Sequence, residues 1–435
     1  TGADAVAGVI NVITKDNIDG LGIKVKMTEF ENFNRSDSQI NFEYGSSFNS
    51  GKTKISFLYN HYERDPIKAK EDERMGISDW RNFSEISGTE WETTRFRRSS
   101  INSPYGQFDF VESVKDYKFY NVRGITDKSG EFEIFPDNDP KCLVDLDNSA
   151  CIASDTSTKR YNLNSERWVV SDLTRDNFQF NMIHDFKNGN QGFTEFSYYY
   201  SETNQNNSPS AAFSSSKLIV PASNYWNPFG SKELPNGNIN PNRLSNDILI
   251  GVPEEGLPII MDNYRFIDIG PRKVNVEKDT YRFLQGFRGS WDSWSWETAV
   301  FISKAKSDDI TSNRLSNTLV EQSLALSTPD AYNPFNGGGN YEDYLLYGQD
   351  QTPSIDGSIK NALINVFRKG ERNLKGWDFK LTNLDFLKLK SGFISLAAGI
   401  EYREDSFKDD RDPRLDGTIL YTDKDGDTFP FVSDV

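Results

Sequence analysis

The chain contains 435 residues, of which 65 are acidic and 49 basic, and its formal net charge at pH 7 is −16. Proteins that grip nucleic-acid phosphates non-specifically present an excess of Lys and Arg, so this balance argues against nucleic-acid binding. Two His and two Cys exclude a His-rich metal site, a Cys₄ zinc site and a disulfide-dense scaffold. A histidine-dependent catalytic site would have to use His61 or His184, and each is better explained as a packed or interfacial side chain. We therefore expect no enzyme, metal site or cofactor.

Nine segments alternate apolar and polar residues with a period of two, which predicts nine β-strands that each have one apolar and one polar face. In the clearest of them, Ile40, Phe42 and Tyr44 alternate with Gln39 and Asn41. The nine segments, in chain order, are residues 21–30, 38–44, 52–62, 174–186, 192–202, 277–289, 293–303, 377–386 and 394–403.

The connections between these segments are alternately short and long. Residues 45–51, 187–191, 290–292 and 387–391 form the short ones, which contain turn residues such as Asn and Gly. The long ones are residues 63–173, 203–276 and 304–375, and the first, residues 31–37, is shorter. This alternation predicts an antiparallel up-and-down transmembrane β-barrel with long extracellular loops, since its strands span about ten residues each. We expect the loops to form a folded cap, with one short helix at residues 316–326.

Residues 1–15 read TGADAVAGVINVITK, a turn of small residues followed by an apolar strand. This segment resembles the end of the plug domain of TonB-dependent outer-membrane receptors, with Gly2, Asp4, Ala5 and Gly8 matching the turn and residues 9–15 the strand. Residues 399–404, GIEYRE, resemble a strand motif of the same family. Two loops that contain Asn-Pro-Phe, at residues 227–229 and 333–335, resemble loops of its large members.

The resemblance implies an all-β fold in which residues 1–18 end the plug domain and residues 19–435 form the first part of the barrel, about nine of a probable 22 strands. The abrupt start of the sequence agrees with a fragment of a longer protein. The resemblance also implies a receptor in the outer membrane of a Gram-negative bacterium, in contact with lipid, that actively imports a scarce extracellular ligand. The family's ligands include siderophore-iron, haem, cobalamin, oligosaccharides and peptides. Its partner is TonB with the inner-membrane energising complex, which would contact the missing N-terminal region.

Two other functions are compatible with parts of the pattern. A secreted all-β protein that binds or cleaves carbohydrate would explain the acidity, the aromatic residues and the alternation. It would not explain the alternation of short and long connections or the opening segment. A general porin would lack a plug strand altogether.

Five aromatic residues in the predicted outer loops are candidates for ligand binding: Tyr225, Trp226, Phe229, Tyr332 and Phe335. They either pack the loops together or stack on a ligand, and the shared Asn-Pro-Phe sequence predicts a turn with an anchoring side chain in both loops. Cys142 and Cys151 lie in the first long loop. An oxidising cell surface favours a disulfide between them over two free thiols.

Three further patterns have alternative interpretations. The acidic run at residues 423–427 is either a calcium loop or a solvated turn, and its spacing departs from that of an EF-hand. Basic residues on the polar strand faces either hold anionic groups or contact the plug, and we favour contact with the plug. Several aromatic residues suit the girdles of a membrane barrel, namely Tyr198, Tyr199, Tyr200, Trp294, Trp296 and Trp377.

Overall fold

The computed structural model describes residues 18–111, 130–137, 139–146, 150–153, 159–212, 217–337, 357–422 and 428–434. The predicted plug turn and strand at residues 1–15 and the acidic run at residues 423–427 lie outside the described residues. The chain is predominantly β, as predicted, and nine long strands form one sheet.

These nine strands correspond one to one with the nine alternating segments of the sequence. They are β1 (Gly20–Glu29), β2 (Ser36–Phe48), β3 (Thr53–Arg64), β4 (Leu173–Asp185), β5 (Gln191–Asn207), β6 (Arg272–Trp291), β7 (Trp294–Leu315), β8 (Leu363–Leu389) and β9 (Gly392–Arg411).

Each strand pairs antiparallel with its neighbour in sequence, so the sheet is a meander in the order β1 to β9. Tight turns join β2 to β3, β4 to β5, β6 to β7 and β8 to β9 at one end of the strands, which we call the short-turn side. The long connections all leave from the other end of the strands, the long-loop side. In the described residues β1 and β9 form the two edges of an open sheet and do not pair with each other.

Five strands, β5 to β9, extend at least five residues further toward the long-loop side than the sequence pattern predicts, and the predicted bounds were wrong there. β8 begins at residue 363 rather than 377, and β7 ends at 315 rather than 303. In these extensions charged and other polar residues occur on both faces of the sheet, so the apolar signal of period two is interrupted. Backbone pairing continues nonetheless, supported by cross-strand ion pairs such as Lys304 with Glu371 at 2.7 Å.

The long connections contain shorter elements of their own. A second sheet has six strands in the order Leu218–Val220, Ile259–Asn263, Gln107–Phe110, Phe132–Pro136, Ala150–Ala153 and Val144–Asp145. Two further strand pairs join Ile67–Lys68 to Trp168–Val170 and Leu420–Thr422 to Thr428–Ser433.

Helices are short and confined to these connections. Helix α1 is the single turn Glu73–Gly76, and α2 spans Asn317–Leu324. Helix α2 confirms the short helix predicted at residues 316–326, and the Ser316 hydroxyl caps it by accepting a hydrogen bond from the Leu319 backbone N–H. Single 3₁₀ turns occur at Ala69–Glu71, Trp80–Asn82, Thr94–Phe96, Ile267–Ile269 and Gly357–Ala362. No helix among the described residues is long and apolar enough to cross a membrane.

The hydrophobic core lies in the long connections and not behind the nine-stranded sheet. Its fully buried side chains include Phe108, Phe132, Tyr264 and Phe335. We call the described parts of residues 65–172, 208–271 and 316–362, which share this core, the loop assembly.

Candidate functional site

One face of the nine-stranded sheet is apolar, and no second layer of structure covers it among the residues that the structure describes. Phe283 of β6 and Ile302 of β7 are direct cross-strand partners and lie on this apolar face. On these central strands Ile302 is 51% exposed, Val300 48% and Phe283 37%. A contiguous apolar surface of this extent on a protein marks a site of contact with another molecule or with lipid.

The apolar residues do not follow the hydrogen-bonded rows straight across the sheet. The row of partners that starts at Ile23 in β1 ends at Ser406 in β9. The apolar residues of β9 are instead centred on Ala398, eight positions nearer to the short-turn side. Eight residues rise about 26 Å and eight strand spacings measure about 38 Å, so the strands are tilted by about 35° from the normal to the apolar band.

Aromatic residues border the apolar band on both sides. Near the short-turn side, Trp294 lies 5.9 Å from Phe386 and Trp291 lies 6.4 Å from Trp296, measured between ring centroids. Toward the long-loop side the border consists of tyrosines whose hydroxyls donate to carboxylates; Tyr402, for example, donates to Glu404 at 3.0 Å.

Of the six aromatic residues predicted to suit a girdle, five lie on the apolar face of the sheet and one does not. Tyr198 and Tyr200 lie on the apolar face, but Tyr199 pairs with Asn177 and Thr280 on the opposite face. The alternation of a strand cannot place three consecutive residues on one side, so the assignment of Tyr199 to the girdle was wrong.

The opposite, polar face of the sheet carries hydrogen-bonded amides and charged residues. Asn60 donates to Asn41 at 2.7 Å, and Arg282 donates to Glu195 at 2.8 Å. By register the basic residues of this face are Lys24, Lys26, Lys54, Arg64, Arg175, Arg272, Lys278, Arg282, Arg288, Arg314, Arg368, Arg372, Lys380, Arg403 and Arg411. Its acidic residues are Asp37, Glu43, Asp185, Glu195, Glu297, Asp309, Asp378, Glu401, Asp405 and Asp409. The polar face is therefore basic, in a chain that is acidic as a whole.

The two Asn-Pro-Phe motifs adopt the same turn, as their shared sequence predicts. The Asn227 side-chain oxygen accepts a hydrogen bond from the Phe229 backbone N–H at 2.9 Å. Asn333 accepts from the Phe335 backbone N–H in the same way at 3.0 Å. In both loops the turn directs the phenylalanine ring into the core of the loop assembly, where both rings are at most 1% exposed.

The residues that precede the first motif also form hydrogen bonds with the third long loop. The buried Asn224 amide donates to the carbonyls of Leu324 at 2.7 Å and Tyr332 at 3.3 Å. The Trp226 indole N–H donates to the Ala331 carbonyl at 2.9 Å. These hydrogen bonds fix the second long loop to the third.

The five candidate ligand-binding aromatics therefore occupy two kinds of environment. Phe229, Tyr332 and Phe335 are fully buried, and the Tyr332 hydroxyl lies 2.8 Å from the hydroxyl of Tyr264. Tyr225 and Trp226 are half-buried, with their rings edge-to-face at 4.9 Å. Packing accounts for the first three, and in this arrangement a ligand could stack only on Tyr225 or Trp226.

Cys142 and Cys151 form a disulfide, with their Cα atoms 5.6 Å apart. Cys151 is fully buried in the strand Ala150–Ala153, beside Phe135. The bond fastens an edge of the six-stranded sheet.

Both histidines lie in strands and have polar partners. His61 contacts Asp176 at 2.8 Å and Glu63 at 3.3 Å, and His184 contacts the Thr53 hydroxyl at 2.8 Å. Within the described ranges, no group of His, Cys, Asp and Glu has the arrangement of a metal site.

Arg265 is a buried charged residue that the sequence reasoning missed. It lies in the loop assembly and is only 6% exposed. Its guanidinium donates to the carbonyls of Pro209 at 2.6 Å and Asn102 at 3.1 Å, which links the first long loop to the second. Burial, with a smaller contribution from the nearby charge of Arg272, lowers the pKa of Arg265 to about 10, so the group stays charged at neutral pH.

Comparison with protein families, with curated proteins and with solved structures gives no significant match to this chain.

Proposed function

We propose that this chain is part of a TonB-dependent receptor of the Gram-negative outer membrane, which imports a scarce ligand from outside the cell. In this proposal the nine strands are a segment of a transmembrane barrel of about 22, and residues 1–18 end the plug domain. The apolar face meets lipid, and the polar face meets the plug and the ligand pathway.

The observation that carries the proposal is the uncovered apolar band with its two aromatic borders. Transmembrane β-barrels have an outward apolar band flanked by aromatic girdles, and their strands are tilted by roughly 35–45°. The band in this sheet requires a tilt of about 35°, obtained from the register alone. Short turns on one side and long loops on the other agree with the same architecture.

A secreted β-sandwich would bury its apolar strand faces between two sheets. Here the six-stranded sheet of the loop assembly forms its own core with Phe108 and Phe132, and residues such as Val300 remain 48% exposed. The apolar face therefore favours the membrane protein over the carbohydrate-active alternative.

The proposed mechanism involves no covalent chemistry. The loop assembly would capture the ligand on the extracellular side, and the basic polar face would line its path. Ligand binding would be transmitted through the plug to TonB, which couples to the inner-membrane energising complex. Siderophore-iron, haem, cobalamin, oligosaccharides and peptides are all candidate ligands.

The location is tested by fractionating cells that make the protein and by quenching its tryptophan fluorescence with brominated lipids after reconstitution. We expect recovery in the outer membrane, and quenching of Trp294 and Trp296, which border the apolar band. Trp226, in the loop assembly, is the matched control and should not be quenched. A monodisperse protein in detergent-free buffer would overturn the proposal.

The transport function is tested in two deletion strains, one lacking this protein and one lacking TonB. Both should show the same growth defect on the same limiting nutrient, supplied in turn as iron chelates, haem, cobalamin and oligosaccharides. Normal growth of the first strain on every nutrient for which the second is defective would contradict TonB-dependent uptake by this protein.

A further inference from the structure

Three arginines come together where the sheet meets the loop assembly. Arg272 begins β6 and Arg314 lies near the end of β7, where the pairing of Lys273 with Ser312 brings the ends of the two strands together. Arg314 lies within electrostatic range of Arg272. Arg265, seven residues before Arg272 in the chain, lies within electrostatic range of it. Arg265 is almost fully buried, whereas Arg272 and Arg314 are half-buried and accessible from solvent. We call these residues the arginine cluster.

An irregularity in β7 places Arg314 on the polar face. Up to residue 311 the even-numbered residues of β7, such as Ile302, lie on the apolar side of the sheet. Between Thr311 and Arg314 the pairing with β8 shifts, and Arg314 becomes the partner of Ile364, which shares the polar face with Val366. A bulge of this kind redirects side chains and often lies near functional sites.

Asn313 forms the bulge with a positive φ of 59°, a conformation that costs free energy in a residue other than glycine. Its side-chain amide donates to the carbonyls of Ile269 at 3.2 Å and Pro271 at 3.0 Å. These bonds hold the bulge against the segment that leads into Arg272, so they fix the relative positions of the two strand arginines.

The cluster has no negative partner among the described residues. Arg265 donates to two carbonyls and to the Ser100 hydroxyl at 3.1 Å, and Arg272 donates to the Ser208 carbonyl at 3.0 Å. The side chain of Arg314 makes no hydrogen bond within the described part of the chain. Like charges that are partly removed from water repel each other, so this arrangement costs free energy unless an anion enters it.

We propose that the arginine cluster is an anion-binding site, which takes a carboxylate or phosphate group of the ligand beneath the loop assembly. The planar guanidinium forks of Arg272 and Arg314 match the oxygen geometry of such groups, and charge-assisted hydrogen bonds are about twice as strong as neutral ones. Arg265 adds positive charge, and each of its three side-chain nitrogens already donates a hydrogen bond within the protein. The site rests on the proposed function in one respect: it assigns the imported ligand to the anionic class.

The test uses the full-length protein in detergent micelles, with inorganic phosphate and citrate as probes. Thermal unfolding is measured with each anion and with chloride at the same ionic strength, and affinity is measured by titration calorimetry. The variants are Arg314→Gln and Arg272→Gln. The matched control is Lys273→Gln, which removes the same charge from the neighbouring residue on the other face of β6.

We expect phosphate or citrate to raise the unfolding temperature of the wild-type protein, and each arginine variant to bind the anion about tenfold or more weakly. Lys273→Gln should bind like the wild type. In chloride alone Arg314→Gln should be as stable as the wild type or more stable, because it removes a repulsive charge. A purely structural arginine would give the opposite result, with loss of stability in every buffer.

Two results would overturn the proposal. One is an unfolding temperature that neither anion changes; the other is anion binding that both arginine variants retain. These measurements need no import, so they are independent of the growth tests. A protein that binds anions without a TonB phenotype would retain the site and lose the proposed transport function. A protein that shows a TonB phenotype but binds neither anion would support the proposed transport function and contradict the assignment of an anionic ligand.

Discussion

Asparagine side chains hold the long loops of this protein together at positions where no water is available to replace them. Asn224 is fully buried, and its amide donates to main-chain carbonyls of the third long loop, including that of Tyr332. Since an unsatisfied buried carbonyl carries a desolvation penalty, removing this amide costs more than the hydrogen bond itself.

We therefore expect Asn224→Ala to destabilise the loop assembly by about 1–3 kcal/mol. Hydrogen exchange followed by mass spectrometry, on peptides that cover α2 and residues 325–335, would report the loss locally. The exposed Asn246, which makes no comparable contact, gives the control Asn246→Ala. Equal protection in the two variants would show that the two loops are held together by other contacts.

The buried tyrosines make the loop assembly sensitive to alkaline pH. Burial raises the pKa of Tyr332 well above its ordinary value, and the neighbouring Asp268 raises it further. In the unfolded chain a tyrosine ionises near pH 10, whereas Tyr332 keeps its proton in the folded protein. Its contribution to stability is thus complete below about pH 10 and is lost as the pH rises through the folded pKa.

We expect the loop assembly to unfold as the pH rises above about 10, with tyrosinate absorbance appearing in the same transition. Near-ultraviolet circular dichroism would follow the packing of the aromatic core. Tyr332→Phe should make the pH dependence less steep without abolishing it, because burial also raises the pKa of Tyr161. Retention of the core signal after all tyrosines have ionised would contradict this.

At the scale of elements, the disulfide stabilises one edge of the six-stranded sheet, where the strands Ala150–Ala153 and Val144–Asp145 lie. It joins Cys151 in the strand Ala150–Ala153 to Cys142, which follows Phe132–Pro136. The closed loop is small, so the entropic gain is at the lower end of the usual range, about 2–3 kcal/mol.

Replacing both cysteines by serine should lower the local stability of this strand pair by about that amount. The wild type in dithiothreitol should show the same increase in hydrogen exchange at residues 132–136 and 150–153. The strands β6 and β7, in the same sample, serve as the internal reference and should not change. Equal exchange with and without the bond would mean that packing around Phe135 suffices.

Sequence alternation predicted every strand of the large sheet but not where the strands end. In residues 38–44 one face is apolar, so the period is visible; in residues 304–315 charged and other polar residues occur on both faces and the signal is interrupted. The six-stranded sheet was missed because its strands are short and buried on both faces, as in Phe132–Pro136. The turns at the two Asn-Pro-Phe motifs were predictable, since the asparagine side chain alone forms them.

The arginine cluster could not be predicted from the alternation, which assigns Arg314 to the wrong face. One residue of bulge reverses every assignment beyond it. The sequence does contain a weak sign, because asparagine tolerates a positive φ better than most residues and Asn313 directly precedes Arg314. Only the pairing with β8 shows that the irregularity is there.

At the scale of the whole molecule, the two faces of the nine-stranded sheet differ in polarity, so one favours an apolar environment and the other water. The loop assembly folds around its own core, so the nine strands gain little from burial against it and present their apolar band outward. If lipid covers that band, then a charge at its centre must be costly, while the same charge one residue away, on the polar face, must not be.

Ile302 and Ser303 on β7 provide this comparison, since they are neighbours on opposite faces. We expect Ile302→Arg to destabilise the protein by about 2–4 kcal/mol in lipid bilayers, as arginine does near the bilayer midplane. Ser303→Arg should change the stability by less, because that face is polar. Its cross-strand partner Arg282 already pairs with Glu195, so the added repulsion costs at most about 1 kcal/mol. Urea unfolding in liposomes, followed by tryptophan fluorescence, would measure both. In a water-soluble protein an arginine at the half-exposed Ile302 would be tolerated, so equal stability of the two variants would contradict a membrane location for the apolar face.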